Sequence, residues 1–270
     1  PVCAATAGVH LAQVRLAGGD VETRRDVPIR AFAGSETLVT IDDDEELAVL
    51  ENGALRVEAE LRGGTVHVLA ADTGRRLAGV RAAEVGPPFS GYRMRPDIYR
   101  AGVETRDGVP TLVLSRDSNE IEGLILEQRL SLDGAGALRV VHRVASAADE
   151  PHPVSLRLSA WSECDRAIAY PFGEGLVREP LHGWGHFPVG SDDVLPLGGR
   201  MAESWCAAEG DGEVVGLVWA GADEERAGRE GPFPSLTYGL GEVVAHGAAE
   251  TPPVWIVAGP GSWEVVRRWW

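Results

Sequence analysis

The stretch Leu47–Leu77, LAVLENGALRVEAELRGGTVHVLAADTGRRL, decides the fold predicted for this chain. Residues Ala54–Leu61 alternate apolar and polar side chains, which is the period of a half-buried antiparallel strand. A short apolar strand precedes it across Asn52-Gly53, a pair typical of a hairpin turn because both residues tolerate positive φ. A third strand, Thr65–Ala70, follows the double glycine Gly63-Gly64. The stretch therefore predicts a three-stranded antiparallel meander.

Short strand patterns recur on both sides of this meander, separated by turns rich in Gly, Asp and Asn. Strands at such regular spacing favour a β-sandwich or barrel. We predict an all-β fold, a large antiparallel sandwich. The expected division is an N-terminal β element, or the end of a preceding domain, at residues 1–46 and the sandwich domain at residues 47–270.

Three segments depart from this strand pattern. Residues 163–200 contain many Gly, Pro and aromatic residues, and we predict a long loop there, of the kind that is usually functional. Residues Asp223–Glu230 read as a short charged helical turn. Residues Trp263–Trp270 carry three tryptophans and predict a short terminal helix or a tail that packs against the domain.

The charge of the chain limits its chemistry. The net charge is −16, and all 25 basic residues are Arg. Absence of Lys excludes Schiff-base chemistry and a P-loop. The acidic balance argues against a nucleic-acid partner. It is compatible with a neutral ligand such as a sugar. No apolar run is long enough for a membrane helix, so no membrane partner is expected, and we predict no cofactor.

The cysteines and the first residue carry two further expectations. Cys3, Cys164 and Cys206 form no CxxC motif, and three reduced thiols in a cytoplasmic protein suit them better than one disulfide, which stays open as an alternative. The chain begins at Pro1, which predicts that it is either a piece excised from a longer polypeptide or a processed product, and we expect an upstream domain of the same polypeptide as a partner.

Residues 51–77, ENGALRVEAELRGGTVHVLAADTGRRL, resemble the opening strands of galactose mutarotase-like β-supersandwich domains. The resemblance is strongest to the domains that follow the catalytic domain in family 38 glycoside hydrolases, the α-mannosidases. Residues 203–221, ESWCAAEGDGEVVGLVWAG, resemble a late hairpin of the same superfamily. The resemblance implies a supersandwich and a carbohydrate context, and it says more about fold than about activity.

The same superfamily includes aldose 1-epimerases, which use a His acid and a Glu base. The resemblance would put the acid at Ser159-Ala160-Trp161, where no His stands, and the base near Glu264, whose sequence context differs. Neither position therefore carries the expected catalytic residue in its expected context, and we do not expect epimerase activity of that kind.

Candidate site residues come from the loop regions 85–99 and 163–200. Trp184 is suited to stack on a pyranose ring, since binding sites combine aromatic groups with a few polar ones. His182-Gly183-Trp184-Gly185-His186 also leaves a loop metal site open, although the glycines exclude a helix. The alternative is that these aromatics only cap the core. The catalytic candidates are His182, His186, Glu174 and Arg93, and the sugar-binding candidates are Trp184, Tyr92, Asp192, Asp193 and Tyr170.

Three functions remain open from the sequence. The first, which we favour, is a non-catalytic carbohydrate-associated domain in the C-terminal part of a larger glycoside-processing enzyme. The second is a divergent sugar-active enzyme, mutarotase-like, hydrolase-like or lyase-like, that uses a His/Glu/Arg site. The third is an interaction module outside carbohydrate chemistry that has kept only the fold.

Overall fold

The computed structural model describes residues 8–18, 21–31, 37–86, 97–133, 136–164, 166–172, 175–180, 195–196, 203–220, 227–230 and 233–270. The strands in these ranges are β1 (Gly8–Gly18), β2 (Val21–Ala31), β3 (Leu38–Asp42), β4 (Leu47–Glu51), β5 (Leu55–Glu60), β6 (Val66–Ala70), β7 (Arg76–Val80), β8 (Glu84–Gly86), β9 (Arg100–Arg106), β10 (Val109–Asp117), β11 (Leu124–Asp133), β12 (Ala137–Ser146), β13 (His152–Ser162), β14 (Ala167–Phe172), β15 (Gly175–Pro180), β16 (Leu195–Pro196), β17 (Trp205–Gly210), β18 (Glu213–Trp219), β19 (Ala227–Glu230), β20 (Phe233–Val243), β21 (Ala248–Glu250) and β22 (Val254–Pro260). The helix α1 is Trp263–Arg267.

Two large antiparallel sheets account for most of these strands. Sheet I runs in the order β15-β14-β17-β18-β22-β12-β11-β10-β9, with β21 beside β12. Sheet II runs in the order β16-β19-β20-β13-β7-β6-β5-β4-β3, with β8 beside β13. The hairpin β1–β2 pairs within itself, and β3 pairs with β4. The predicted all-β, antiparallel fold is confirmed.

The predicted meander is confirmed as β4, β5 and β6, which lie between β3 and β7 in sheet II. Neither Asn52 nor Gly53 adopts a positive φ, which differs from the turn predicted for them. Instead, the Asn52 Oδ1 accepts hydrogen bonds from the backbone N–H groups of Ala54 and Leu55, both at 2.8 Å. The turn is thus stabilised by hydrogen bonds to the Asn52 side chain, and not by the positive φ angles that the dipeptide suggested.

The inner faces of the two sheets pack against each other in two apolar clusters. The central cluster joins residues of both sheets, among them Leu55, Val57, Leu112, Leu114, Leu130 and Val140. The end cluster joins Leu124, Leu126, Val144, Val154, Leu156 and Val243. Side chains alternate between the two faces of each strand, so polar residues among these inward positions are easily recognised.

The prediction of a loop over residues 163–200 is wrong in part, because β14, β15 and β16 lie within it. Ala167, Ile168, Ala169 and Tyr170 are all buried, which leaves no alternation to mark the strand. A strand covered on both faces reads as a continuous apolar run, and Pro171 and Pro180 added a loop signal to it.

The predicted helical turn at residues 223–230 is wrong for its described part, since Ala227–Glu230 forms β19 and pairs with β20. The predicted terminal helix is confirmed as α1. Val266 packs into an apolar cluster on the outer face of sheet I, and Trp263 stacks on Trp205 with ring centroids 5.7 Å apart. Arg267 forms a hydrogen-bonded ion pair with Glu203, which fixes the helix to the sheet.

Candidate functional site

Two neutral polar side chains interrupt the apolar inner face of sheet I. Along β11, Leu126, Gln128 and Leu130 point inward, and Gln128 lies directly opposite His142 of β12. Only 1% of Gln128 and 2% of His142 is exposed. The pair therefore lies at the boundary between the central cluster and the end cluster, where the adjacent inward positions of both strands are apolar.

Three side-chain atoms of this pair have no hydrogen-bond partner among the described residues. The orphan atoms are Nε2 and Oε1 of Gln128 and Nε2 of His142. The backbone of His142 is satisfied, since its N–H donates to Thr251 Oγ1 at 3.0 Å and its carbonyl accepts from the Thr251 N–H at 2.9 Å. A buried polar group without a partner costs roughly 1–3 kcal/mol, so most native proteins give such groups a role or a bound water.

Burial also changes the acid–base behaviour of His142. Loss of hydration disfavours the charged imidazolium and lowers the pKa of His142 from its ordinary value of 6.5 to about 4. The imidazole is therefore neutral near pH 7. In that form it can accept or donate one hydrogen bond at Nε2, but it is not a general acid.

This shift predicts a pH dependence of stability. Unfolded His142 takes up a proton below about pH 6.5 and the folded form only below about pH 4, so stability falls as pH falls through that window. Because the two pKa values differ by about 2.5, the loss is about 3 kcal/mol. Urea unfolding at a series of pH values measures it, and His142→Phe should flatten the curve between pH 6.5 and 4. An equally steep curve in that variant would contradict the assignment to His142.

A fully partnered charged group lies beside the pair on the same face. Arg116 of β10, with 2% of its side chain exposed, donates from Nε to Tyr99 Oη at 3.1 Å and lies 3.2 Å from Asp97 Oδ2. Its Nη1 and Nη2 reach the two carboxylate oxygens of Glu120 at 3.2 and 3.3 Å. Nη1 also donates to the backbone carbonyl of Asp117 at 3.1 Å. Two carboxylates thus contact one buried guanidinium.

Asp97 and Tyr99 connect this ionic group to the double-glycine bend of the meander. The Gly63 N–H donates to the Asp97 carbonyl at 2.7 Å, and the Tyr99 N–H donates to the Leu61 carbonyl at 2.8 Å. The Tyr99 ring lies against Gly64, where an added Cβ would overlap it. The double-glycine bend, predicted as a simple turn, therefore also packs against residues 97–99 and forms hydrogen bonds with them.

Eight of the nine predicted site residues lie outside the described residues, and their roles stay predictions: His182, His186, Glu174, Arg93, Trp184, Tyr92, Asp192 and Asp193. The ninth, Tyr170, lies on β14 and packs in the central cluster between the sheets. Leu130 and Val140 of sheet I belong to the same cluster. Its proposed contact with a sugar stays a prediction.

The positions that the resemblance assigns to epimerase catalysis lie on different sheets of the domain. Trp161 is on the face of sheet II turned away from the core, since Ala160 beside it points inward and the Trp161 ring covers Gly79. Glu264 is exposed on α1, which packs on the outer face of sheet I through Val266. Side chains at positions 161 and 264 therefore face opposite sides of the domain, whereas the side chain at position 160 faces the core.

The described residues add little other reactive chemistry. Among them, no group of three or more His, Cys, Asp or Glu side chains is placed to hold a metal ion. Cys164 and Cys206 are free and buried, and burial raises the pKa of the Cys206 thiol to about 12, so it is not a nucleophile near pH 7. No helix within the described ranges is long and apolar enough to cross a membrane.

The inner-face residues Gln128, His142 and Arg116 were absent from the predicted site. A signal for them was present, because each occupies an inward position in a strand whose neighbouring inward residues are apolar. Sequence alternation alone marks such a residue. The prediction instead favoured loops with many aromatic groups, which is a signal of composition and not of position.

No protein-family model matches this chain, and no curated protein matches it. Several solved structures have a similar fold. A TPR-domain-containing protein from Parabacteroides distasonis aligns at 12% identity and a TM-score of 0.53, over 94% of this chain and 54% of the other. This chain thus spans about half the length of that protein.

Galactose mutarotase-like proteins are among the other similar structures. One from Lactobacillus casei aligns at 11% identity and a TM-score of 0.49, over 79% of this chain and 100% of the other. A galactose mutarotase related enzyme from Lactobacillus acidophilus aligns at 12% identity and a TM-score of 0.49, over 80% of this chain and 98% of the other. Identities this low concern the fold alone, and that fold is a large antiparallel β-sandwich.

Proposed function

We propose that this chain is a carbohydrate-associated β-sandwich domain that is not itself catalytic. In this proposal it forms the C-terminal part of a larger glycoside-processing enzyme and binds a sugar or shapes the site for one. The observation that carries the non-catalytic part is that Ser159-Ala160-Trp161 lies on sheet II and contains no His, whereas Glu264 is exposed on α1 beside the outer face of sheet I. Epimerisation needs an acid and a base that act on one sugar ring together.

The carbohydrate part of the proposal is supported by the resemblance of residues 51–77 to mutarotase-like domains. The structure folds that segment as the end of β4, all of β5 and β6 and the start of β7, inside sheet II. The acidic chain is also compatible with an uncharged ligand, since a net charge of −16 repels anionic ones. The neutral inner-face pair, Gln128 and His142, provides hydrogen-bonding groups of the kind that sugar hydroxyls use.

The proposal is tested by measuring binding and catalysis on the same preparation. We expect the intact chain to bind at least one glycan on an array of neutral oligosaccharides, and to leave the rate of α-D-galactose mutarotation, followed by polarimetry, at the buffer rate. Heat-denatured chain is the control for both assays. Accelerated mutarotation would replace the proposal with the enzymatic alternative, and absence of both activities would favour an interaction module.

The larger enzyme is a separate part of the proposal with its own test. We expect intact-mass measurement of the protein from its native source to give a polypeptide longer than these 270 residues. Glycosidase activity in that preparation, lost when the upstream part is removed, is the expected companion result. A native polypeptide of 270 residues would contradict the accessory role and leave the binding role intact.

A further inference from the structure

Gln128 and His142 are polar residues on the inner face of sheet I, where the neighbouring inward residues of their strands are apolar. Leu114, Gln128 and His142 lie opposite one another on β10, β11 and β12. Directly opposed side chains in antiparallel strands have their Cβ atoms about 4.5–5.5 Å apart, so one small ligand can reach both polar groups. Nothing in the described residues satisfies the three orphan atoms of the pair.

The chemistry of those atoms defines what can satisfy them. The Gln128 Nε2 is a donor and needs an acceptor, whereas Oε1 is an acceptor and needs a donor. His142 Nε2 takes either role, because the neutral imidazole has two tautomers. A carboxylate or phosphate offers acceptors alone and would leave Oε1 facing negative charge. A hydroxyl group both donates and accepts, and so it matches the whole set.

The charged groups near the pair also favour an uncharged ligand. Arg116 is the buried cation near the pair on this face, and Asp97, Glu120 and Tyr99 already occupy its guanidinium. Among the described residues, an anionic ligand would therefore meet one buried and one half-buried carboxylate and a guanidinium that both already contact. Burial of an additional unpaired charge is strongly unfavourable.

We propose that Gln128 and His142 form a contact site for the hydroxyl groups of an uncharged ligand, an inference that rests on the proposed carbohydrate role. The site differs from the positions where the mutarotase resemblance would put catalysis, 159–161 and 264. Both residues are almost fully enclosed, so the ligand enters only when the surrounding packing opens. Association is then slow, because a conformational change that must precede binding lowers the association rate.

The test is isothermal titration of the intact chain and its variants with D-galactose and D-mannose. Gln128→Leu and His142→Phe should each weaken binding about tenfold or more, because each removes hydrogen bonds inside an enclosed site. Val141→Ala is the matched control, since Val141 is buried in the same strand on the opposite face. It should leave affinity within about twofold.

Thermal melting of each variant separates loss of binding from loss of folding, and Gln128→Met and His142→Leu replace any variant that does not fold. Unchanged affinity in folded variants, with a raised melting temperature, would overturn the inference and identify the pair as a site for internal water alone. In that case the proposed function stands. If the intact chain binds neither sugar and no glycan on the array, the proposed function fails and this inference fails with it.

Discussion

Replacing Arg116 by methionine is expected to lower the free energy of unfolding by about 3–5 kcal/mol. The substitution keeps most of the side-chain volume and removes the charge that faces Asp97 and Glu120. Both carboxylates, with 3% and 13% side-chain exposure, then lose their contact with the Arg116 guanidinium. Equilibrium unfolding in urea at pH 7 measures the loss.

Two further variants make the Arg116 result specific. Arg100→Met removes a guanidinium that is 66% exposed and lies 3.5 Å from Asp117, so it should change stability by less than about 0.5 kcal/mol. Adding Glu120→Gln to Arg116→Met removes the charge of a carboxylate that has lost its contact with Arg116, and it should restore at least about 1 kcal/mol. A loss below about 1 kcal/mol in Arg116→Met would show that the ionic group contributes little.

Gly64→Val is expected to destabilise the protein by about 4 kcal/mol through two separate effects. Gly64 has φ of 69°, a conformation that a β-branched residue rarely adopts. The added Cβ would also overlap the Tyr99 ring, which must move and lose its hydrogen bond from Arg116. Thermal and urea unfolding both report the change.

Gly108→Val separates the two effects, because Gly108 has φ of 80° and no atom lies within 4 Å of its would-be Cβ. That variant carries the backbone strain alone and should lose about 1–2 kcal/mol. The difference between the variants then measures the contact between Gly64 and Tyr99. Equal losses would mean that residues 97–99 contribute no stability through this contact.

The candidate site could be predicted from the sequence only in part. Gln128 and His142 stand out by alternation, but alternation does not show that they are opposite each other or that nothing satisfies them. Those facts depend on the register between β11 and β12. The contacts of Arg116 are still harder to predict from the sequence. Asp97 lies 19 positions away in the chain and contacts Arg116 only because residues 97–99 pack on the double-glycine bend.

The sequence by itself determined the local features of this protein. The two-residue period of Ala54–Leu61, the turn at Asn52 and the double glycine specify the meander, because side-chain alternation and turn chemistry act between neighbours in the chain. The tertiary structure alone decided that Ala167–Phe172 is a strand and that Gly64 receives Tyr99. Both depend on burial by segments distant in sequence, and burial on two faces erases the alternation from which a strand is otherwise recognised.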